Sequence, residues 1–175
     1  MTSLSWAPHT CRRAAESAVE AVKLAKGYNG TIFRSMATLH RGRLLDHLQL
    51  VVRDLKASRR FYEAIFETLG VGIGGEGPGF FWADELVISS TDSPASQGKL
   101  TGPTHFAFQA PDRGTVDRVH AAALSAGGKD NGSPGERAYH PGYYAAFVRD
   151  PDGNNIEVVY HGPATRSSPS VEIRF

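Results

Sequence analysis

Residues 47–70, HLQLVVRDLKASRRFYEAIFETLG, recur as residues 105–128, HFAFQAPDRGTVDRVHAAALSAGG, at a constant offset of 58 residues and without a gap. His47 aligns with His105, Asp54 with Asp112, Arg60 with Arg118 and Gly70 with Gly128. Self-similarity at a fixed offset marks a structure built from one unit used more than once. Each copy reads as a strand, an Asp-marked turn, a helix and a closing glycine. Alternate residues of a strand share a face. His47 and Gln49 therefore point one way and Leu48 and Leu50 the other; His105 shares a face with Ala107 and Gln109, away from Phe106 and Phe108. A duplicated unit that packs on itself brings its two histidines together about a pseudo-twofold axis.

The flanking segments extend each copy into a βαβββ unit. In the first, Leu44 to Val52 reads as a strand, and Asp54 caps a helix from Leu55 to Leu69. Phe61, Ile65 and Leu69 fall at i, i+4 and i+8, one buried stripe. Gly70 ends the helix where a left-handed conformation suits glycine. A short strand in 71–79 and a hairpin around Asp84-Glu85 complete the unit over 44–90. The turn formers of 91–102, TDSPASQGKLTG, make a linker. The second unit, 103–161, has a strand over Pro103 to Ala110 and a helix over Arg113 to Ala126. The polar excursion KDNGSPGER follows, and then two strands joined by Asp150-Pro-Asp-Gly-Asn, a strong turn signal. The fold class is α+β, two βαβββ modules in tandem. Residues 162–175 are an added edge strand or a loose tail.

Residues 1–43 lie outside the repeat. Residues 10–26, TCRRAAESAVEAVKLAK, read as a short amphipathic helix capped by Thr10. Their basic, Ser-rich setting suits a transit peptide, against which Glu16 and Glu20 stand; a start at Met36 is a third reading. With 41% hydrophobic and 21% charged residues the composition is that of an ordinary globular domain. A net charge of +1 offers no electrostatic case for nucleic acid or an anionic membrane, and no apolar run has the length of a membrane span. The single cysteine, Cys11, excludes an internal disulfide and fits a reducing, cytoplasmic setting.

In the last strand, Asn155, Glu157, Val159 and His161 share one face. Glu157 is thus a carboxylate within an otherwise apolar strand, and a buried carboxylate is costly unless paired or bound to a cation. His47, His105 and Glu157 together make a set that binds a divalent metal with positions left open, as suits non-haem iron or catalytic zinc. A hydrogen-bonded structural histidine, or a Glu157 paired with arginine, is the plainer alternative for each residue alone.

The stretches DHLQLVVRDLKASRRFYEAIFETLG, THFAF and FVRDPDGNNIEVV resemble the vicinal oxygen chelate superfamily, which includes glyoxalase I, bleomycin and fosfomycin resistance proteins and extradiol dioxygenases. The resemblance spans about Leu44 to His161. It implies an eight-stranded, open, barrel-like cavity holding a divalent ion (Fe, Zn, Ni or Mn), with His47, His105 and Glu157 as ligands from the first, fifth and eighth strands. It also implies a small substrate bound through adjacent oxygens, and a homodimer in which two chains can share a site. Glyoxalase I-like members carry a fourth ligand, a glutamate, where this chain offers Val87, Ile88 or Ser89. His140 and Tyr144, near the expected cavity mouth, and Gln109 are the candidate catalytic side chains. Gln49 joins Gln109 and Tyr144 in orienting substrate. The expected function is a metal-dependent lyase, isomerase or dioxygenase. The alternative is a metal-free drug-binding protein with a groove lined by Phe80, Phe81, Trp82, Tyr143 and Tyr144.

Overall fold

A computed structural model describes residues 38–42, 45–94, 96, 98–165 and 170–174. The expected helix within 10–26 lies outside them. The first module contains β2 (Leu48–Val52), α1 (Leu55–Leu69), β3 (Gly75–Gly77), β4 (Phe80–Ala83) and β5 (Leu86–Ser90). The second contains β6 (His105–Gln109), α2 (Arg113–Ser125), β7 (Lys129–Glu136), β8 (Tyr144–Arg149) and β9 (Asn155–Tyr160). Each module forms its own four-stranded mixed sheet, in the orders β2-β5-β4-β3 and β6-β9-β8-β7. In both, the first strand is outermost and runs parallel to the last, while the other pairings are antiparallel. A separate two-stranded ribbon pairs β1 (Thr38–Arg41) with β10 (Val171–Arg174). The tail is thus a strand, and its partner lies in the segment before the repeat.

Local chemistry accounts for both helices. Asp54 and Asp112 sit in extended backbone and accept from Ala57 N at 3.0 Å and Thr115 N at 2.6 Å, filling donors the first turn leaves orphaned. Phe61 and Ile65 are buried against β4 and β5, and α1 packs on α2. Leu50, Val52, Ile88, Val116, Val119, Val148, Ile156 and Val158 fill one core with them. The helices cover one face of the sheets, the face of Ile156 and Val158. Glu157 is on the other.

The polar segment after the second helix is a strand, β7, despite its composition. It is the edge strand opposite β6, paired only with β8, and its register shifts between Asp130 and Gly132 and again between Gly132 and Gly135. Its ladder bonds come from β8, so the pairing overrides weak intrinsic preference, and charged, bulged edges are how sheets avoid further pairing.

The two aligned glycines do different work. Gly70 has φ 73°, and a Cβ there would meet nothing within 4 Å, so backbone conformation alone selects it. In the second module Gly127 takes the left-handed turn, at φ 102°. Gly128 is needed for space: a Cβ would lie 2.5 Å from Val148 Cγ1, 2.6 Å from the Phe61 ring and 2.9 Å from the Ala123 carbonyl. Gly128→Ala is therefore expected to destabilise the fold by about 1–3 kcal/mol, as overpacking does. Urea denaturation checks this; a variant as stable as the parent would show that the junction between Phe61 and Val148 yields.

Candidate active site on the second sheet

Parallel pairing sets Ala107 opposite Glu157, and antiparallel pairing sets Phe147 opposite it on the other side. One face of this sheet therefore carries His105 and Gln109 from β6, Glu157 from β9 and Phe147 from β8. Glu157 is only 5% exposed. Its Oε1 accepts the Tyr143 hydroxyl at 2.6 Å, and its Oε2 lies 3.3 Å from His105 Nε2. His105 Nδ1 is 2.9 Å from the Asn155 carbonyl and 3.0 Å from Asn155 Nδ2. When Nδ1–H donates to the carbonyl, Nε2 turns a lone pair toward the carboxylate, and a proton or cation must mediate between them. When Asn155 donates to Nδ1, Nε2–H donates to Glu157 directly. Both oxygens of the buried carboxylate thus face polar groups, which is what its burial requires. Glu157's partners are a phenol and an imidazole, and no arginine pairs with it among the described residues.

Tyr143 sits just ahead of β8. Burial first, and then its bond to Glu157, push its hydroxyl well above the usual phenol range. A group held protonated in this way adds stability that is complete below the unfolded value near pH 10 and is lost as pH rises through the folded value. The phenolate absorbance rise near pH 10 should therefore be the same for the parent and Tyr143→Phe. A smaller rise in the variant would mean that Tyr143 titrates as an open phenol.

His140 belongs to the same neighbourhood. Its Nε2 is 3.0 Å from His161 Nδ1, its Nδ1 is 3.0 Å from the Pro141 carbonyl, and both imidazoles meet the Tyr143 ring edge-on. Gly142 and Gly162, at φ 83° and 84°, bring these two segments into contact, each where a Cβ would fall within 3.4 Å of the other's backbone. Tyr144, expected beside the site, is one residue out of phase: its hydroxyl donates to Asp117 on α2 at 2.8 Å, on the helix side of the sheet. Tyr143 takes the place at Glu157. Gln109 shares the face of Glu157, in register with Val159.

His47 stands apart. It precedes β2, its side chain is 59% exposed, and its Nδ1 is 2.8 Å from Asp46. Among the described residues no three His, Cys, Asp or Glu side chains come close enough to hold one ion. Gln49, the repeat partner of Ala107, is in register with Val87 and donates to Ser89 Oγ at 2.8 Å. Val87 is therefore the counterpart of Glu157, which settles the three-way choice left open in the sequence: the first module has no carboxylate at that point.

One residue that sequence reasoning did not single out reaches the same face. The Arg137 guanidinium lies 5.4 Å from the centre of the Phe147 ring, which itself is 6.2 Å from the His105 ring. Nothing in the order KDNGSPGER marks it, because its position follows from the bulges of β7.

Two βαβββ modules in tandem, each forming its own mixed four-stranded sheet, define the class of fold. The chain belongs to the Glyoxalase/Bleomycin resistance protein/Dioxygenase superfamily, whose family model matches residues 44–158. It is 30% identical over 132 residues to the uncharacterized protein YqjT of Bacillus subtilis, an alignment covering 66% of this chain and 97% of that one. A glyoxalase/bleomycin resistance protein from Albidiferax ferrireducens T118 aligns at TM-score 0.54 and 29% identity, over 66% of this chain and 97% of the other. A glyoxalase-related enzyme from Fulvimarina pelagi, at 18% identity, TM-score 0.56 and coverage of 75% and 97%, shares the fold.

Proposed function

We propose that the protein is a metal-dependent enzyme of the lyase, isomerase or dioxygenase class, acting on a small substrate held through two adjacent oxygens. The observation that carries this is the buried Glu157 carboxylate with an imidazole nitrogen 3.3 Å away, on the sheet face turned from the helices. Two donors at about 2.0–2.2 Å from one ion lie about 2.9–3.5 Å apart across ordinary coordination angles, so this pair fits a divalent ion. When bound, Fe, Zn, Ni or Mn would supply Lewis acidity to the substrate oxygens. Tyr143 holds Glu157 Oε1, so Oε2 would be the oxygen left to hold the ion, while Asn155 orients the His105 ring, the supporting pattern that metal-ligating imidazoles use. Gln109, on the same face, is a group that can orient substrate, and His140 steadies Tyr143 from the side. For Tyr144 the bond to Asp117 favours a supporting role in the sheet.

A homodimer completes the proposal. β2 and β6 are the outermost strands of their sheets, and His47 lies at the start of one of them. A second copy brought against the β6 edge would supply His47 as the third ligand. The single cysteine suits a cytoplasmic setting for such a protein.

A second reading, a metal-free binding protein, draws on a cavity of about 370 Å³ lined by Leu55, Lys56, Arg59, Glu76, Gly77, Phe80 and Phe81. Metal analysis of tag-free protein, purified without chelator, separates the two. The enzyme reading expects a stoichiometric divalent ion and a dimer by light scattering. Protein that carries no metal and takes up none on titration would favour the binding protein.

A further inference from the structure

We propose that Arg137 is the anchor for a negatively charged group on the ligand of this site, and that the ligand class is small carboxylates with a second oxygen on the neighbouring carbon. The inference rests on reading the face of His105 and Glu157 as the site, and it adds the charge of what that site takes.

Glu157 and Phe147 are direct neighbours in register, His105 stands on β6 beside Glu157, and Arg137, just past β7 and opposite Tyr143, lays its guanidinium over the Phe147 ring, so the four follow one another across one face of the sheet. The imidazole and the carboxylate are toward one end and the guanidinium is at the other, with the Phe147 ring between them. The Arg137 side chain is held by backbone. Its Nη2 donates to the Ser133 carbonyl at 2.6 Å, its Nη1 to the Glu136 carbonyl at 3.4 Å, and its own backbone N–H to the Tyr143 carbonyl at 2.9 Å. Gly135 makes room for it, since a Cβ there would lie 3.1 Å from Nη1. The register shift before Gly135 turns the strand so that the side chain lies back over Phe147.

Carbonyls and a ring face orient a guanidinium but leave its charge uncancelled. The nearby carboxylates are engaged elsewhere: Glu136 accepts Arg113 Nη2 at 2.6 Å, and Asp117 accepts the Tyr144 hydroxyl at 2.8 Å. A guanidinium has five N–H donors in a planar fork, of which two are used here. A ligand carboxylate matches that fork in geometry and charge. Glu157 repels the same group, so the ligand is oriented with its carboxylate toward Arg137 and its second oxygen toward His105 and Glu157. A neutral ligand could accept a hydrogen bond from the fork but would leave its charge uncancelled.

The test compares lactate with lactamide, which has the same adjacent oxygens and no charge. Both are titrated into the full, tag-free, chelator-treated chain while the arginine Nε–H signals are followed by NMR. Lactate should move the Arg137 signal at far lower concentration than lactamide does, because only lactate adds charge to the hydrogen bond. Arg137→Gln should weaken lactate binding about 10–100-fold, the loss expected for a hydrogen-bonded charge, and Arg137→Lys should fall between. Equal binding of the two ligands, an unmoved Arg137 signal, or undiminished lactate binding by Arg137→Gln would each overturn the proposal. If Arg137→Gln does not fold, the comparison of ligands on the parent and the lysine variant still decides. The titrations contain no metal, so they can fail while metal analysis succeeds, and the reverse.

Discussion

Asp150→Ala should cost about 3 kcal/mol or more of stability and leave the protein close to unfolding at ordinary temperatures. Asp150 begins the turn Asp-Pro-Asp-Gly-Asn, and it is 4% exposed. Its Oδ2 accepts the Tyr62 hydroxyl at 2.7 Å and Asn154 Nδ2 at 2.8 Å, while its Oδ1 accepts the backbone N–H groups of Asp152 and Asn154 at 3.0 and 2.8 Å. Tyr62 lies on α1, so one buried carboxylate ties the helix of the first module to the last turn of the second. Asp152 adds to this joint by accepting the Arg53 backbone N–H. Removing Asp150 leaves several buried donors without partners, and each orphaned donor costs on the order of 1–3 kcal/mol. Tyr62→Phe removes one of these bonds and should cost about 1–3 kcal/mol. Denaturant unfolding of the three proteins would rank them parent, Tyr62→Phe, Asp150→Ala. An Asp150→Ala protein as stable as the parent would show that the turn is held by its proline and glycine alone.

Glu157→Gln is expected to have the opposite signature, a small effect on the metal-free fold and a large one on metal. The amide keeps the side chain's shape: its oxygen can accept the Tyr143 hydroxyl and its nitrogen can face His105. Metal-free stability should stay within about 1 kcal/mol of the parent, the range of substitutions that leave no group orphaned. Affinity for a divalent ion should fall by more than the 10–100-fold that the loss of even a supporting partner causes, and any activity should fall with it. Denaturation of both metal-free proteins followed by metal titration reads both halves. A strongly destabilised variant with unchanged metal binding would make Glu157 a structural residue, and the reason to prefer an enzyme would go with it.

Much of this was legible in the chain. The 58-residue offset predicted two modules of one kind, and both helices, both aspartate caps and the left-handed Gly70 are where local rules put them. The alternation of Asn155, Glu157 and Val159 with Ile156 and Val158 already separated a polar face from a core face. These features depend on neighbours a few residues apart, with periods of two or 3.6, and the sequence contains those neighbours.

Tertiary structure decided which of the candidate residues meet. Tyr143 and Tyr144 are adjacent and chemically alike, and a shift of one residue in a strand exchanges the faces. Tyr143 therefore reaches Glu157, while Tyr144 reaches Asp117 on a helix. The gap between the repeat and the fourth strand was unreadable until backbone pairing set Val87 beside Gln49. The double role of the Asp-Pro-Asp-Gly turn, reversing the chain and accepting Tyr62 from 88 residues away, has no local signature. Arg137 is placed over Phe147 by irregularities in an edge strand whose composition reads as a loop. His47 and His105, equivalent in the repeat, differ because β9 sets Glu157 beside one and β5 offers valine at the matching point of the other. The sequence by itself determined the modules and their faces, because those follow from local periodicity; the site was decided by register between distant strands, which local periodicity leaves open.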